Sequence, residues 1–539
     1  MENIQSLETE GSLSHNEDIP AAITDAMTVC SRLGIEFLWV DRLCIIQDDF
    51  QEKSRQINAM ENIYGNCYIT IAQLQGDGAH SGLCGVSRPR KALAGPSQAG
   101  DIYLIREYDQ YETIKSHSKW VTRGWTFQEA FLSSRLLLFS EQGVIFECQD
   151  GEKINIEDRA LRETEFMNIE SQFDLSVPQR VIEEYTKRDL TLEADILFAF
   201  TGILHHQFGT EHYYGNCLSR FQHLLLWRSS EDKYTPRVPQ GDMIFPSWSW
   251  ISINGPIEFP YIGAENSAGN LALWMLVFNG SIRLIPYLEV TRDKESIRKR
   301  KLMKLIAIIA WRNGLLPSKL PSCFEPDANW QHYLDIIESR WSKSYDMYTE
   351  ALGIDHHAIT APSVAEKFSQ GMISLGQEPG RVLVYTSSLV LTVKPQSLKE
   401  GGAVFMTQNG RVLGTSEWST KMKQGELNNF LETLEKHPTT QLDALALSLV
   451  EVSTSLDHVE EGLWRDSTGA PLQELPDPIS FPGDYDYNHP SEYGSLTTIL
   501  ITVMLVETRC GISRRVGIGE FFLHDWVSSG PQLRPFVLA

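Results

Sequence analysis

Long apolar runs are missing from this sequence of 539 residues. A membrane-spanning helix needs about 20 apolar residues in succession. The most apolar stretch, residues 496–506, is interrupted by Thr497, Thr498 and Thr502. Its β-branched composition indicates a buried strand, so we expect no membrane span.

Targeting and cysteine motifs are also missing. The first 18 residues are polar and acidic and lack the apolar core of a signal peptide. The eight cysteines contain no CxxC pair and are too scattered to form a zinc ligand set. The sequence therefore predicts a cytoplasmic protein whose cysteines are thiols.

Positive charge is scarce. The chain has 47 Lys and Arg residues against 70 Asp and Glu residues, a formal charge of −23. This balance argues against a DNA-binding or RNA-binding surface. Hydrophobic residues make up 42% and charged residues 22%, which excludes a mainly disordered chain, a coiled coil and a collagen-like fibre.

Motifs of the common enzyme classes are absent as well. The chain has no GxGxxG register, P-loop lysine, GxSxG elbow or helical HExxH pair, so nothing indicates a dehydrogenase, a nucleotide triphosphatase or a serine hydrolase. No carboxylate stands at ligand spacing from His205 and His206. We predict neither a metal site nor a resident cofactor.

The patterns that are present divide the chain into three parts. Residues 19–150 alternate helix and strand patterns, which predicts an α/β domain with a parallel, helix-covered sheet. Residues 151–245 read as a helical segment. Residues 246–539 predict a β-rich domain with a helical insert near 329–352.

Helix and strand predictions are most specific in the first part. Pro20 opens an amphipathic helix that ends at Gly34, and the apolar run 36–40 has the length of a buried strand. A second helix is predicted through Ile57, Met60 and Tyr64. Further elements are predicted as strands at 67–72, 102–105, 136–139 and 144–147 and a helix at 125–132.

Asp41 stands directly after the predicted strand 36–40. A carboxylate at the carboxyl end of a strand in an open α/β sheet can bind a ribose hydroxyl or orient a cationic group. Asp41 can equally cap the turn that follows it. Spacing alone favours the capping role.

Trp125 and Glu129 stand one helical turn apart, on the same face of the predicted helix. An indole beside a carboxylate can wall a pocket and raise the pKa of the acid, which suits acid–base or electrostatic catalysis. The alternative is a structural ion pair of Glu129 with Arg123 or Arg135, with Trp125 in the core. The structural interpretation is the more frequent one.

Residues 247–253 alternate with period two and precede Asn254-Gly255, which predicts a strand and a hairpin. Trp248 and Trp250 would then project to the same face. A ligand platform is one interpretation, but paired tryptophans under a sheet are more often core.

Taken together, these motifs resemble the fungal heterokaryon incompatibility (HET) domain. The resemblance spans about 130 residues and consists of ordered blocks, namely FLWVDRLCIIQDD at 37–49, MENIY at 60–64, Asn66, ITIA at 69–72, Gly82-Leu83, RGWTFQE at 123–129, Leu132-Ser133, Arg135 and Glu147-Cys148. The positions that carry the motif are Trp39, Asp41, Leu43, Cys44, Ile45, Gln47, Asp48, Tyr64 and Gly124.

The resemblance implies non-self recognition and regulated cell-death signalling in filamentous fungi. It also implies a TIR-like, flavodoxin-like fold, because the HET domain is thought to be similar to TIR domains, some of which cleave NAD. In those enzymes a Glu one helical turn after a Trp is catalytic, which makes Glu129 the candidate catalytic residue here. The candidate ligand-binding residues are Asp41, Arg123, Trp125 and Gln128.

The sequence departs from the family at its start. The family begins with a strand that reads approximately L-S-Y-x-W-G, and no such block stands before Ile19-Pro20. We therefore expect the sheet to lack its first strand, through truncation or divergence. Three functions follow as alternatives: signalling through partner proteins or self-assembly without catalysis, which we favour; NAD cleavage by Glu129 with NAD as substrate; and an inert family member.

Overall fold

The structure, a computed structural model, forms two compact units, one of Met1–Ser176 with Arg180–Gly215 and one of Val177–Gln179 with Asn216–Ala539. The residues that it describes are 7–15, 18–90, 97–99, 102–104, 111–148, 153–155, 177–209, 211–230, 235–238, 243–259, 267–278, 281–285, 366–395, 403–407, 412–415, 441–455, 495–522, 526 and 529–539.

The helices of the N-terminal unit are short. They are α1 (Ala21–Leu33), α2 (Asp41–Cys44), α3 (Phe50–Asn58), α4 (Met60–Asn66), α5 (Tyr111–Ser116), α6 (Lys119–Thr122), α7 (Gly124–Leu132), α8 (Pro178–Thr186, whose first residues belong to the other unit) and α9 (Phe198–Phe208). Single 3₁₀ turns stand at Ser12–His15, Ala79–Ser81 and Glu193–Ile196.

The two helices predicted first have different outcomes. α1 follows Pro20 and ends at Gly34, whose left-handed backbone (φ 71°) directs its N–H to Cys30 and Ser31, as predicted. The second predicted helix is divided at Ala59 into α3 and α4. The Asp49 carboxylate caps α3, because it accepts the N–H groups of Gln51 and Glu52.

A four-stranded sheet forms the centre of this unit, in the order β1 (Thr70–Gln73), β4 (Arg135–Ser140), β5 (Gly143–Cys148) and β6 (Lys153–Asn155). The β1–β4 pair is parallel, with Thr70 opposite Leu136, and the other two pairs are antiparallel. The predicted strands at 136–139 and 144–147 are confirmed. The prediction of a parallel sheet is wrong for this part of the chain, because β4 and β5 are joined by a tight turn that reverses the chain. The sheet is mixed.

Strand β4, one of the two inner strands of this sheet, is buried on both faces. Leu136 and Leu138 pack in one cluster with Trp120, whereas Leu137 and Phe139 pack in another with Val29. Alternate residues of a strand point to opposite faces, so β4 lies between two layers of apolar side chains. A separate two-stranded sheet pairs β2 (Ser97–Ala99) with β3 (Ile102–Leu104).

The segment 36–40 does not form the predicted strand. Residues 35–40 contain no regular structure. The Ile35 N–H continues the α1 cap to Cys30 O, the Val40 N–H points to Cys44 Sγ, and the Phe37 side chain is 86% exposed. An apolar run of this length becomes a strand only where a neighbouring strand pairs with it, and among the described residues none does.

The C-terminal unit is built around a large sheet of ten strands, mostly antiparallel. They are β13 (Ser267–Asn270), β14 (Ala272–Phe278), β15 (Ser281–Leu284), β16 (Val382–Pro395), β17 (Ala403–Thr407), β18 (Val412–Thr415), β19 (Gln441–Ser455), β20 (Ser495–Arg509), β21 (Ile512–Phe522) and β22 (Gln532–Leu538). Helix α10 (Gln370–Gly376) packs on β14, β16 and β22. The predicted β-rich character of this part of the chain is confirmed.

Smaller strand pairs complete the description. The N-terminal unit also contains β7 (His212–Tyr213), and the C-terminal unit contains β8 (Asn216–Cys217). In the C-terminal unit β9 (Arg228–Ser229) pairs with β12 (Ile257–Glu258), and β10 (Thr235–Pro236) pairs with β11 (Ile253–Asn254).

The predicted strand at 247–253 is wrong. The chain there makes a turn and a 3₁₀ helix, because the Ser249 hydroxyl caps the Ile251 N–H and the Ser249 N–H bonds to Pro246 O. The hairpin predicted at Asn254-Gly255 is also wrong, since β11 and β12 pair with β10 and β9. Trp248 and Trp250 are nevertheless core residues, 0% and 1% exposed. The predicted insert 329–352 lies outside the described residues.

None of the helices in the described parts of the chain has both the length and the hydropathy that crossing a bilayer requires.

Candidate functional site

The candidate site begins at the sharp junction between α6 and α7. Ser118 caps α6 by accepting the Val121 N–H, and Arg123 is extended (φ −85°, ψ 136°), so the chain changes direction before α7. The Thr126 hydroxyl donates to Arg123 O at 2.8 Å. This bond fixes the first turn of α7 and thereby the direction in which Glu129 points.

Glu129 lies half-buried on α7 at the point where three separate motifs meet. Burial raises the pKa of its carboxyl to about 7. The positive charge of Arg123 opposes that rise, the negative charge of Asp41 adds to it, and hydrogen bonds from Trp120 and Tyr64 favour the ionised form. At neutral pH this carboxyl therefore exchanges its proton readily.

Tyr64 joins the second motif to the site. Its hydroxyl hydrogen-bonds to the Glu129 carboxylate, and burial together with the negative charges of Glu129 and Asp41 raises its pKa, so the phenol stays protonated. The Trp39 ring meets the Tyr64 ring edge-on, with 5.9 Å between centroids. The phenol therefore presents a fixed donor to the carboxylate.

Asp41 is exposed at the start of α2 and belongs to a tight turn. Its Oδ1 accepts the N–H of the adjacent Arg42 at 2.6 Å, whereas the residue before the helix is Val40 and α2 has no side-chain cap bond. The Gln47 side chain closes the turn by donating to Asp41 O at 3.1 Å and to Ile45 O at 3.2 Å. The negative charge of Asp41 also acts on Glu129 and raises the pKa of its carboxyl.

The remaining positions of that motif differ in exposure. Ile45 is buried, Leu43 is half-buried, and Cys44 and Asp48 are exposed. The Cys44 Sγ accepts the Val40 N–H at 3.4 Å. Gln47 therefore holds the backbone of the turn, while Ile45 anchors it by burial.

Three other candidates on α7 contact the segment that follows α8. The Trp125 Nε1 donates to Asp195 Oδ2 at 3.1 Å, and the Gln128 Oε1 accepts the Gly202 N–H at 3.0 Å. Gln128 is 1% exposed. The Gly124 N–H donates to Asp189 O at 2.7 Å. The structure thus brings Glu129, Asp41, Arg123 and Tyr64 together and directs Trp125, Gln128 and Gly124 to α9 and the chain before it.

Sequence reasoning missed two partners. Trp120 donates to Glu129, and the paired tryptophans of Trp120-Val-Thr-Arg-Gly-Trp125 are a signal that could have indicated it. Arg188 places its guanidinium 4.5 Å from the centre of the Phe127 ring. Burial lowers the pKa of Arg188 to about 10, and the negative charge of Glu129 acts in the opposite direction. No spacing rule links Arg188 to Glu129, because only the fold brings them close.

Residues 2–129 match the family model described as heterokaryon incompatibility protein (HET). This match ends at Glu129 and contains every candidate residue predicted from sequence. Residues 2–129 therefore form a region similar to the HET domain. The HET match covers about a quarter of the 539 residues. No curated protein matches the chain, and no solved structure does.

The HET domain thus holds a carboxyl group with a pKa about 7, beside one guanidinium and one phenol. Such a group can accept or donate a proton, or stabilise a developing positive charge. Among the described residues, no three His, Cys, Asp or Glu side chains are placed to hold a metal ion.

Proposed function

We propose that this protein works in non-self recognition and regulated cell-death signalling in fungi, through contact with a partner protein or through assembly of its own copies. The match of residues 2–129 to the HET family carries the proposal. Three exposed apolar side chains of the N-terminal unit support a contact role: Leu33 is 55%, Phe37 86% and Tyr68 68% exposed. Exposed apolar side chains contribute to binding when a partner covers them.

Expression in a filamentous fungus tests this proposal. If signalling needs no catalysis, the Glu129→Gln variant kills cells as well as the wild type does. Loss of killing in a variant that folds and accumulates normally would contradict the non-catalytic mechanism. Absence of killing by the wild type itself would favour an inert member of the family.

A second function is favoured by one specific observation, the environment of Glu129. We propose as this alternative that the N-terminal unit is a divergent TIR-like domain that cleaves NAD at the nicotinamide bond. The parallel β1–β4 pair is compatible with that fold. The Glu129 carboxyl lies next to Arg123 and the Tyr64 hydroxyl, and its pKa is about 7. Near neutral pH it can therefore carry the negative charge that the reaction needs.

Each residue has a role in this alternative. Positive charge develops on the ribose as nicotinamide departs, and an ionised Glu129 stabilises it until water adds to the ribose carbon and gives ADP-ribose and a proton. Asp41 would hold a ribose hydroxyl, Arg123 would hold the diphosphate, and Trp125 would wall the nicotinamide side. Gln128 is 1% exposed and bonds to the Gly202 N–H, so it would position α7 without touching NAD.

Release of free nicotinamide from NAD measures this activity directly. Wild-type protein should release it, and Glu129→Gln should reduce the rate at least about 100-fold, the usual size of an acid–base or electrostatic contribution. Both variants are assayed as dilute protein and after crowding-induced assembly. Equal rates for wild type and Glu129→Gln in both states would reject NAD cleavage.

A further inference from the structure

The chain that follows α8 lies outside the matched residues 2–129 and is bound to the start of α7. The Asp189 N–H donates to Thr122 O at 2.6 Å, and Asp189 O accepts the Gly124 N–H at 2.7 Å. These two bonds form a parallel bridge across Arg123. The turn that carries Arg123 is therefore held by a segment from a distant part of the sequence.

Close packing and a side-chain bond strengthen this attachment. A Cβ added to Gly124 would lie 2.5 Å from Leu190 Cδ2, so any larger residue would require the Leu190 side chain to shift. The Trp125 Nε1 bonds to Asp195 Oδ2 a little further along. Residues 188–195, which we call the clamp segment, thus contact the first turn of α7.

Arg188 is the cationic residue of the clamp segment, and it contacts α7. Its guanidinium lies over the Phe127 ring, and its Nη1 is 3.5 Å from Arg123 O and 3.4 Å from Thr126 Oγ1. Arg188 is half-buried, and the negative charge of Glu129 stabilises its positive charge. This electrostatic interaction is necessarily reciprocal.

We propose that Arg188 is a positioning residue for Glu129: it anchors the turn that carries Arg123 and adds a second positive charge near Glu129. The inference rests on the proposed use of Glu129, although its test requires no activity. Without Arg188, the Glu129 carboxyl holds its proton to a higher pH. The clamp segment thereby sets the charge state of a residue in the HET domain.

Other charged groups around Glu129 define what the test must separate. Asp41 of α2 and Tyr64 of α4 act on Glu129 directly, as does Arg123. On α9, which packs against α7, His205 instead pairs with Glu61 of α4 at 3.7 Å.

Three more charged groups have partners of their own. On α6, Lys119 donates to Asp77 O. At the start of β4, Arg135 donates to Tyr68 O. At the end of α8, Glu184 pairs with Lys187 and also stabilises the Arg188 charge. Arg188 is therefore the positively charged residue that the test replaces.

Infrared difference titration of the full-length protein tests the proposal. The band of the protonated carboxyl group is followed against pH, and the same titration of Glu129→Gln is subtracted so that only Glu129 remains. Arg188→Gln keeps an amide donor but removes the charge. The midpoint should rise by about 0.5–1 pH unit, the lower end of what one nearby opposite charge contributes.

Two variants act as matched controls. Lys187→Gln removes the same charge one residue away, from a side chain that is 55% exposed, and should leave the midpoint unchanged. Arg188→Lys keeps the charge but loses the planar guanidinium, and should shift the midpoint less than Arg188→Gln does. If Arg188→Gln does not fold, Trp125→Phe replaces it, because it loosens the clamp segment without changing any charge and should raise the midpoint by a smaller amount.

Three results would overturn the proposal: an unchanged midpoint in folded Arg188→Gln or in its replacement, an equal rise in Lys187→Gln, or an equal rise in Arg188→Lys. An equal rise in Arg188→Lys would mean that Arg188 acts only through the contacts of its guanidinium and that its charge does not set the midpoint. A protein that shows the expected midpoints but releases no nicotinamide rejects NAD cleavage and leaves the positioning role of Arg188 standing.

Discussion

The two units of the chain use aromatic residues in different ways. In the C-terminal unit Trp227, Trp248, Trp250, Trp274 and Trp526 are all at most 2% exposed. In the N-terminal unit Trp39 is half-buried and touches Tyr64, the residue that bonds to Glu129. The tryptophans of the C-terminal unit build its core, whereas Trp39 and Trp120 of the N-terminal unit also surround a polar site.

The hydrogen bonds of the indoles follow the same division. Trp227 donates to Trp248 O and Trp248 donates to Gly380 O, each at 3.0 Å, so these buried N–H groups are satisfied by backbone. Trp120 and Trp125 donate instead to carboxylates, those of Glu129 and Asp195. A unit whose buried donors serve the backbone is built for stability, whereas donors directed at carboxylates position charges.

Trp248→Ala should have the largest effect on stability. The side chain is fully buried, packs on Phe221 with ring centres 5.5 Å apart, and donates to Gly380 O. Its removal leaves a large cavity and takes away the hydrogen bond to Gly380 O, which costs about 4 kcal/mol of the free energy of unfolding. Urea denaturation followed by circular dichroism measures this loss.

The matched control for that prediction is Trp39→Ala in the N-terminal unit. Trp39 is half-buried, so its loss should cost about 1–2 kcal/mol. Equal losses in the two variants would contradict the division between a structural and a site-forming use of tryptophan.

Helices and strands with a strong local pattern were predictable from sequence. The α1 helix has a proline start, an apolar stripe and a glycine end, and β14, β16, β19 and β20 are rich in apolar residues. The segments 36–40 and 247–253 have strand-like patterns too. Whether such a segment becomes a strand depends on a pairing partner from elsewhere in the chain, which the local pattern does not contain.

The candidate site was predictable in part for a similar reason. Glu129 and Asp41 stand in recognisable motifs, and the structure brings their charges together. Arg188 is remote in sequence, and the resemblance of its segment to the region that follows HET domains did not link it to Glu129; a backbone bridge at Asp189 places it. Long-range contacts of this kind depend on the fold, and the local spacing of residues in the sequence does not predict them.

Glu129→Gln should change how stability depends on pH. Because the folded-state pKa of about 7 lies above the ordinary value of 4.5, the protonated form stabilises the native state. That stability is fully present below pH 4.5 and is lost as the pH rises through about 7. The glutamine variant avoids this loss and should exceed the wild type by about 1–2 kcal/mol at pH 8, allowing for partial exposure.

Melting temperatures at pH 5.5 and pH 8.5 provide the measurement for that variant. Glu141→Gln, a half-exposed carboxylate that pairs with Arg88, is the control and should not gain stability at high pH. A wild type and a Glu129→Gln variant with parallel pH profiles would show that Glu129 is not desolvated.

Asp25→Ala should destabilise the N-terminal unit by about 2 kcal/mol, because the buried Leu83 N–H and the Ser87 hydroxyl lose their acceptor. The Asp25 Oδ2 accepts the Leu83 N–H and the Ser87 hydroxyl, both at 2.6 Å, and Asp25 is 5% exposed. Asp25→Asn retains a carbonyl acceptor and should lose less. Thermal denaturation separates the two variants, and identical losses would mean that the negative charge matters and the acceptor oxygen does not.

Phe37→Ser should have the smallest effect on stability of these variants, so a change in cell killing could be separated from a loss of folding. Phe37 is 86% exposed, and its replacement should change the free energy of unfolding by less than about 0.5 kcal/mol. Phe139→Ser is the matched control: Phe139 is 5% exposed in β4, and its replacement by a polar group should cost about 3 kcal/mol or more. If Phe37→Ser unfolds the protein as readily as Phe139→Ser, the segment 36–40 is packed as core. If stability is unchanged but cell killing falls, the exposed ring serves contact with a partner, and the N-terminal unit then differs from the C-terminal unit in directing an aromatic residue outward for function.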